Sequence, residues 1–143
     1  MAPKRKEVTA NSSSGKTRPT RPIKKARILV VDDEEPIREI VGVMLRSAGF
    51  EVSTAADGLE ALHKARRCTG TIDLLLSDLR MPRMSGLQLA AKLQLERPEI
   101  RVLMMSGYDV EPSILDQSWQ FIEKPFLPEE LNQMLRVSCR IGP

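Results

Sequence analysis

Residues 28–38 read Ile-Leu-Val-Val-Asp-Asp-Glu-Glu-Pro-Ile-Arg, a run of four aliphatic residues ending abruptly in acids. Unbroken aliphatic residues at 28–31 suit a strand buried on both faces, because a half-exposed strand would alternate with polar residues. Pro36 then suits the first turn of a helix, where its missing N–H costs nothing. Apolar residues follow at Ile37, Ile40, Val41, Met44, Leu45 and Ala48, spaced as one helical stripe, and Gly49 stops the pattern. Strand, acidic turn and helix thus occupy the first 22 residues of the pattern, 28–49.

The same alternation continues downstream. Val52–Ala55 reads as a second strand, and Gly58–Arg67 as a helix with Leu59, Leu62 and Ala65 inward. Asp73–Ser77 carries Leu74, Leu75 and Leu76 and reads as the third strand. Gly86–Glu96 reads as a helix stopped near Pro98, Arg101–Met105 as the fourth strand and Trp119–Glu123 as the fifth. Pro128 opens a last helix with Leu131, Met134 and Leu135 on one face. Right-handed crossovers turn this order into a parallel sheet with helices on both sides. The expectation is therefore an α/β, flavodoxin-like, doubly wound five-stranded sheet in the order 2-1-3-4-5, with its site at the carboxyl ends of the strands.

Length and composition agree with one domain. The chain has 143 residues, 41% hydrophobic and 29% charged, and no apolar run approaches the roughly 18–20 residues that span a bilayer. The N-terminus lacks the apolar core of a secretory signal, so a cytoplasmic location is expected without membrane insertion. Cys68 and Cys139 have no metal-like spacing and read as free thiols.

The net charge of +3 averages two opposite parts. Residues 1–27 hold nine Lys or Arg and one acid, a balance of +8, whereas the remainder holds 13 against 18, a balance of −5. Residues 1–26 contain almost no large apolar side chains and are expected to form a disordered basic tail ahead of a folded domain at 27–140. Gly15-Lys16-Thr17 is not a phosphate-binding loop, since Ala10 stands where the earlier glycine is needed and no strand precedes it. Lys4-Arg5-Lys6 and Lys24-Lys25 permit weak, salt-sensitive contacts with nucleic acid or an anionic surface.

The strand ends carry the chemistry. Strand one ends in Asp32-Asp33-Glu34, strand three in Asp78 and strand four in Ser106, while strand five leads into Lys124. In a parallel sheet these ends share one edge, so the carboxylates of Asp32, Asp33 and Asp78, a hydroxyl and an ammonium meet there. Clustered carboxylates repel and favour a divalent cation, and hard oxygen ligands with room for water suit Mg²⁺. A carboxylate can also act as a nucleophile towards phosphorus, while a metal and a lysine neutralise the transferred group. Such a cluster suits the making and breaking of an acyl phosphate.

Four blocks in order now resemble one family. ILVVDDEEPIR (28–38), LLLSDLRMPRMSG (74–86), LMMSGY (103–108) and FIEKPF (121–126) are similar to the signature segments of response-regulator receiver domains of two-component systems, covering residues 27 to about 137. The resemblance implies a phosphoacceptor at Asp78, with Mg²⁺ held by Asp33, Asp78 and the backbone carbonyl of Arg80, and by Asp32 through a water. It implies that Ser106 and Lys124 bind the phosphoryl group, that Lys124–Pro125 is cis and that Phe121 is the aromatic switch residue. A histidine kinase or phosphotransfer protein would be the phosphoryl source, and the domain would be a switch rather than an enzyme. Output is expected to pass through a partner protein or another chain, with no output domain expected after residue 143.

Two departures from the pattern matter. Only 17 residues separate Ser106 from Lys124, with Pro112 among them, so residues 109–117 are expected to form a short or irregular fourth helix. That shortening is similar to receivers attached to hybrid histidine kinases. Arg80 and Tyr108 lie where the family tunes dephosphorylation, and their bulk predicts a slow rate. An aspartate-based phosphatase of the haloacid-dehalogenase type would need an acid two residues after Asp78, where Arg80 stands. The remaining alternative is a degenerate receiver that binds partners without phosphorylation, its basic tail touching nucleic acid or membrane.

Overall fold

A parallel sheet of five strands organises the chain, in the order β2-β1-β3-β4-β5. The computed structural model describes residues 25–107 and 119–139. Its elements are β1 (Arg27–Val31), α1 (Glu35–Ser47), β2 (Glu51–Ala55), α2 (Gly58–Arg67), β3 (Leu74–Asp78), α3 (Gly86–Glu96), β4 (Arg101–Ser106), β5 (Gln120–Glu123) and α4 (Pro128–Cys139). The expected tail lies mostly outside the described residues, and Tyr108 and the expected helical segment 109–117 lie wholly outside them. Among the described residues no helix is long and apolar enough to cross a membrane.

The strands are aliphatic on both sides because both sides are covered. Leu29, Val31, Leu75, Val102 and Met104 face one core with Ala61, Leu62 and Ala65 of α2 and Leu89, Ala90 and Leu93 of α3. Ile28, Val30, Leu74, Leu76, Leu103, Met105 and Ile122 face the other with Val41 and Leu45 of α1 and Leu131 and Leu135 of α4. The central strand β3 is buried along its whole length. Burying each such aliphatic side chain contributes about 1.5–3 kcal/mol, so the two-layer core is the main source of stability.

Element boundaries differ from expectation by a residue or so. β3 runs Leu74–Asp78 rather than Asp73–Ser77, because Asp78 still pairs with Met105. Asp73 instead uses Oδ2 to accept from the Arg27 backbone N–H at 2.7 Å. A larger correction concerns α2, where Leu59 points outward and is 69% exposed. The buried face is Gly58, Ala61, Leu62 and Ala65. A 3-3 spacing such as 59, 62, 65 drifts around the helix, whereas 58, 61, 62, 65 stays on one face. Ile40, expected within the α1 stripe, is also largely exposed.

The amino edge of the sheet is tied down by two arginines. Arg97 donates from Nη2 to the carbonyls of Ala65 and Cys68, at 2.8 and 3.0 Å, and from Nη1 to that of Gly70 at 2.9 Å. Arg97 thereby gathers carbonyls from the last turn of α2 and the loop that follows it, the Ala65 carbonyl also accepting the Cys68 N–H at 3.3 Å. Arg27 reaches Glu51 at 2.9 Å and the Cys68 sulfur at 3.0 Å. Trp119 donates its indole N–H to Gln94 at 3.0 Å, joining the start of β5 to α3.

Candidate functional site

Register brings the strand-end residues together. Val31 is level with Ser77, and Asp78 is level with Met105. Asp32 therefore follows β1 at the height where Asp78 ends β3. Ser106, which ends β4, is level with Glu123, and Lys124 follows. Oxygen atoms of Asp32, Asp33 and Asp78 all lie within 4.8 Å of one another. The carboxylates, hydroxyl and ammonium expected at this edge are thus all placed on it.

Each group is held by its own contacts. Asp32 is fully buried and accepts the Glu34 backbone N–H on Oδ1 at 2.8 Å. Its Oδ2 lies 3.4 Å from Lys124 Nζ, and the same nitrogen lies 3.4 Å from Asp78 Oδ1. Asp33 is exposed to solvent at the mouth. Ser106 is 7% exposed, and its carbonyl accepts the Lys124 backbone N–H at 2.7 Å, so the serine and the lysine share one backbone link. The Lys124–Pro125 peptide is cis, as the resemblance implied.

Electrostatics at the site follow from this packing. Burial pushes the Asp78 carboxyl above the usual carboxylate range. The Lys124 ammonium opposes that rise, while Asp32 and Asp33 add to it. Burial acts to lower Lys124, but the carboxylates of Asp32 and Asp78 outweigh it and hold the ammonium above its ordinary value. Lys124 thus faces the carboxylates of Asp32 and Asp78, with Asp33 beside them. Removing charged oxygens from water is costly, and a divalent cation among these carboxylates would offset that cost. The donor set, three carboxylates with one open to solvent, fits Mg²⁺ by ligand hardness.

Phe121 lies deeper than the charged cluster. It is level with Met104 and packs on the core shared with α2 and α3. Met104 and Ser106 are two residues apart on β4, so Ser106 is on the same side of the sheet as Phe121. Arg80 is exposed in the loop after β3.

Three local devices were not anticipated. Arg38 of α1 donates to the Asp32 carbonyl at 2.7 Å, which ties the helix to the acidic turn. Gly86, the first residue of α3, sits so close to the Asp78 carbonyl oxygen that a Cβ there would overlap it. Ser85 and Gln88 form a reciprocal capping box at the start of α3, fixing the end of the loop that begins at Asp78. Only the capping box has a readable signature, Ser-x-x-Gln; the other two depend on what faces the residue.

Comparison with known proteins agrees with this geometry. The family model for the response regulator receiver domain matches residues 28–136. The chain is 38% identical over 117 residues to the probable transcriptional regulatory protein TcrX of Mycobacterium tuberculosis, covering 79% of this chain and 49% of that one. It is 34% identical over 110 residues to the sensor kinase CckA of Brucella abortus, covering 74% of this chain and 12% of the kinase. The chain thus spans about half, or much less, of these relatives. Among solved structures, the chemotaxis response regulator CheY4 of Vibrio cholerae, crystallised at low pH, superposes with a TM-score of 0.72 at 33% identity, covering 82% of this chain and 99% of that one. The receiver domain of the hybrid histidine kinase CckA gives 0.70 at 36% identity, covering 80% and 99%. With its fold, its strand-end acids and these matches in agreement, the chain belongs to the response regulator receiver domain family.

Proposed function

We propose that this receiver is a phosphorylated switch whose acceptor is Asp78. The observation that carries the reading is the placement of the Asp78 carboxylate, 3.4 Å from Lys124 and within 4.8 Å of the Asp32 and Asp33 oxygens, at the carboxyl edge of the sheet. An Asp78 oxygen attacks the phosphorus of a phosphohistidine on a partner histidine kinase or phosphotransfer protein. The new O–P bond forms as the P–N bond breaks, and the imidazole leaves with a proton. Asp33, Asp78 and the Arg80 carbonyl would hold Mg²⁺, with Asp32 acting through a water. Bound Mg²⁺ supplies charge neutralisation for the carboxylates and the phosphoryl oxygens.

Lys124 pairs with a phosphoryl oxygen, and the Ser106 hydroxyl donates to another. Phosphorylation adds a charge of about −1.5 to −2 and strong acceptor oxygens, which draw both groups inward. Phe121 shares the sheet face of Ser106, so space vacated by the serine loop can be taken by the ring, which alters a partner-binding surface. Arg80, together with Tyr108, shields the phosphoryl group from water and slows its loss. The domain acts in the cytoplasm as a switch, with chemistry directed only at its own aspartate, and the basic residues 1–26 are a tail outside the switch itself.

Intact mass after incubation with Mg²⁺ and a small acyl phosphate tests the reading. The parent is expected to gain one phosphoryl group; Asp78→Ala and chelator-treated parent are expected to gain none. If the parent gains nothing from the acyl phosphate or from a phosphorylated kinase, the switch reading fails and a phosphorylation-independent binding module takes its place.

A further inference from the structure

We infer that Gly58 and Met84 are positioning residues: a notch at the start of α2 seats the methionine and thereby sets the loop that carries the Arg80 carbonyl next to Asp78. This rests on the proposed reading of that edge as a Mg²⁺ site.

The loop in question joins β3 to α3 and is closed at its base. Leu79 accepts the Gly86 N–H at 2.9 Å, and Gly86 lies flush on the Asp78 carbonyl. Leu79 in turn donates its N–H to Met105 at 2.9 Å, which anchors the base to β4. At the far end the Met84 N–H reaches the Pro82 carbonyl at 2.7 Å, and Arg83 has a φ of 70°. This tip is therefore a tight turn containing a left-handed residue, with little freedom of its own.

The tip rests on α2. Gly58 is buried, and a Cβ placed on it would lie 2.5 Å from Met84 Sδ and 3.0 Å from both Met84 Cβ and Cγ. Rotation about χ1 or χ2 could move the sulfur, and χ1 could move Cγ. Neither rotation moves Cβ, which is fixed to the loop backbone. The helix and the loop backbone can approach this closely only because position 58 has no side chain. A second tie lies beside it, where Arg83 Nη2 is 3.7 Å from Asp57 Oδ2. Asp57 also caps α2 by accepting the Glu60 N–H at 2.8 Å, so the loop leans on a helix end that is itself fixed. Arg80 lies between the closed base and the seated tip. Lifting the tip would tilt its carbonyl while leaving the β3 ladder intact.

Helix propensity makes the test discriminating. Alanine at the first turn of a helix is intrinsically better than glycine, so Gly58→Ala should stabilise the protein if nothing faces the new methyl group. The full chain is titrated with MgCl₂ alone by calorimetry, as parent, Gly58→Ala, Met84→Ala and the double variant, with urea midpoints measured on the same samples. The parent is expected to bind Mg²⁺, and Gly58→Ala is expected to bind it about tenfold more weakly, in the range typical of groups that orient a metal ligand. Met84→Ala empties the notch and is expected to weaken binding by about threefold, a loss below the roughly 10–100-fold of groups that orient a ligand directly. The double variant should match Met84→Ala rather than show the product of the two losses, since the added methyl then meets no methionine.

Unchanged Mg²⁺ affinity in Gly58→Ala, or a double variant as weak as the product of the singles, overturns the inference. So does a lower urea midpoint with no change in affinity, which is the mark of a packing role alone. If Gly58→Ala does not fold, Met84→Ala decides, and unchanged binding there overturns the inference equally. Failure of the parent to bind Mg²⁺ would instead refute the metal-site reading, and the positioning role would fall with it.

Discussion

Replacing Asp78 with asparagine is expected to stabilise the metal-free protein while abolishing phosphorylation. The variant keeps the shape of the side chain and removes one of three clustered charges. At the 4.8 Å limit of the cluster, each carboxylate neighbour repels Asp78 by about 3.5 kcal/mol at an effective dielectric constant of 20. Lys124, at 3.4 Å, attracts it by about 5 kcal/mol on the same basis. These attractions and repulsions largely offset, with the Asp33 contribution weakened by its exposure, so burial of the Asp78 charge, the largest cause of its raised carboxyl, sets the expected gain at about 1–2 kcal/mol. For a domain of this size that is a rise in melting temperature of roughly 3–8 °C.

The sign with pH follows from the raised carboxyl of Asp78. The folded state binds that proton more tightly than the unfolded chain. The parent therefore loses stability as pH rises from the ordinary carboxylate range, about 3.9, through the raised folded value. Above that value the whole penalty is present. The advantage of asparagine should be full there and should vanish below about pH 4. Urea unfolding in EDTA, followed by the fluorescence of the single tryptophan, Trp119, measures the difference. Saturating Mg²⁺ should reverse the ranking, since a ligand at about 100 times its dissociation constant stabilises the parent by about 2.7 kcal/mol. A variant less stable than the parent in EDTA at pH 7 would refute the argument that the buried charge of Asp78 is a net cost to the metal-free fold.

Lys124→Ala is expected to destabilise the protein by about 2–3 kcal/mol in urea, because fully buried Asp32 loses its ion-pair partner. The ammonium is held above its ordinary value, so its contribution should be whole below about pH 10.4 and lost as pH rises further. Arg83→Gly should gain about 1 kcal/mol by relieving a left-handed backbone position, since the exposed ion pair with Asp57 is worth little. Thermal melting checks this, and a loss exceeding 0.5 kcal/mol would count against it. Gly86→Ala should cost about 1–3 kcal/mol, because the methyl group overlaps the Asp78 carbonyl, and a phosphorylation assay on the same variant should show reduced incorporation.

The fold was legible because this sheet is covered on both faces. Unbroken runs such as Ile28–Val31 and Leu74–Leu76 have few other uses, and their spacing leaves room for helical crossovers. The placement of the candidate site residues was legible for a related reason: a polar residue immediately after a buried strand stands at a known edge. What escaped were relations between surfaces. Leu59 was assigned inward because a spacing of three looks helical over short distances, yet the buried face follows Gly58 and Ala61. Gly58 and Gly86 read as helix starts, and nothing local shows that Met84 or the Asp78 carbonyl presses against them. The Arg38 and Arg97 bonds to main-chain oxygens leave no pattern, since a carbonyl acceptor is the same at every position.

The arginine clamp at the amino edge has a mechanical corollary. Arg97 fastens the exit of α2 to its own helix and Arg27 fastens the start of β1, so that end of the sheet behaves like the fixed base of a tuning fork. The residues of the proposed switch, Ser106 and Lys124, lie at the opposite edge. A new charge placed among them cannot be absorbed by slack at the base. Under the proposed reading it would be expressed where it arrives, at Ser106 and Lys124, so that stiffness at one end would turn a small chemical change into a directed movement at the other.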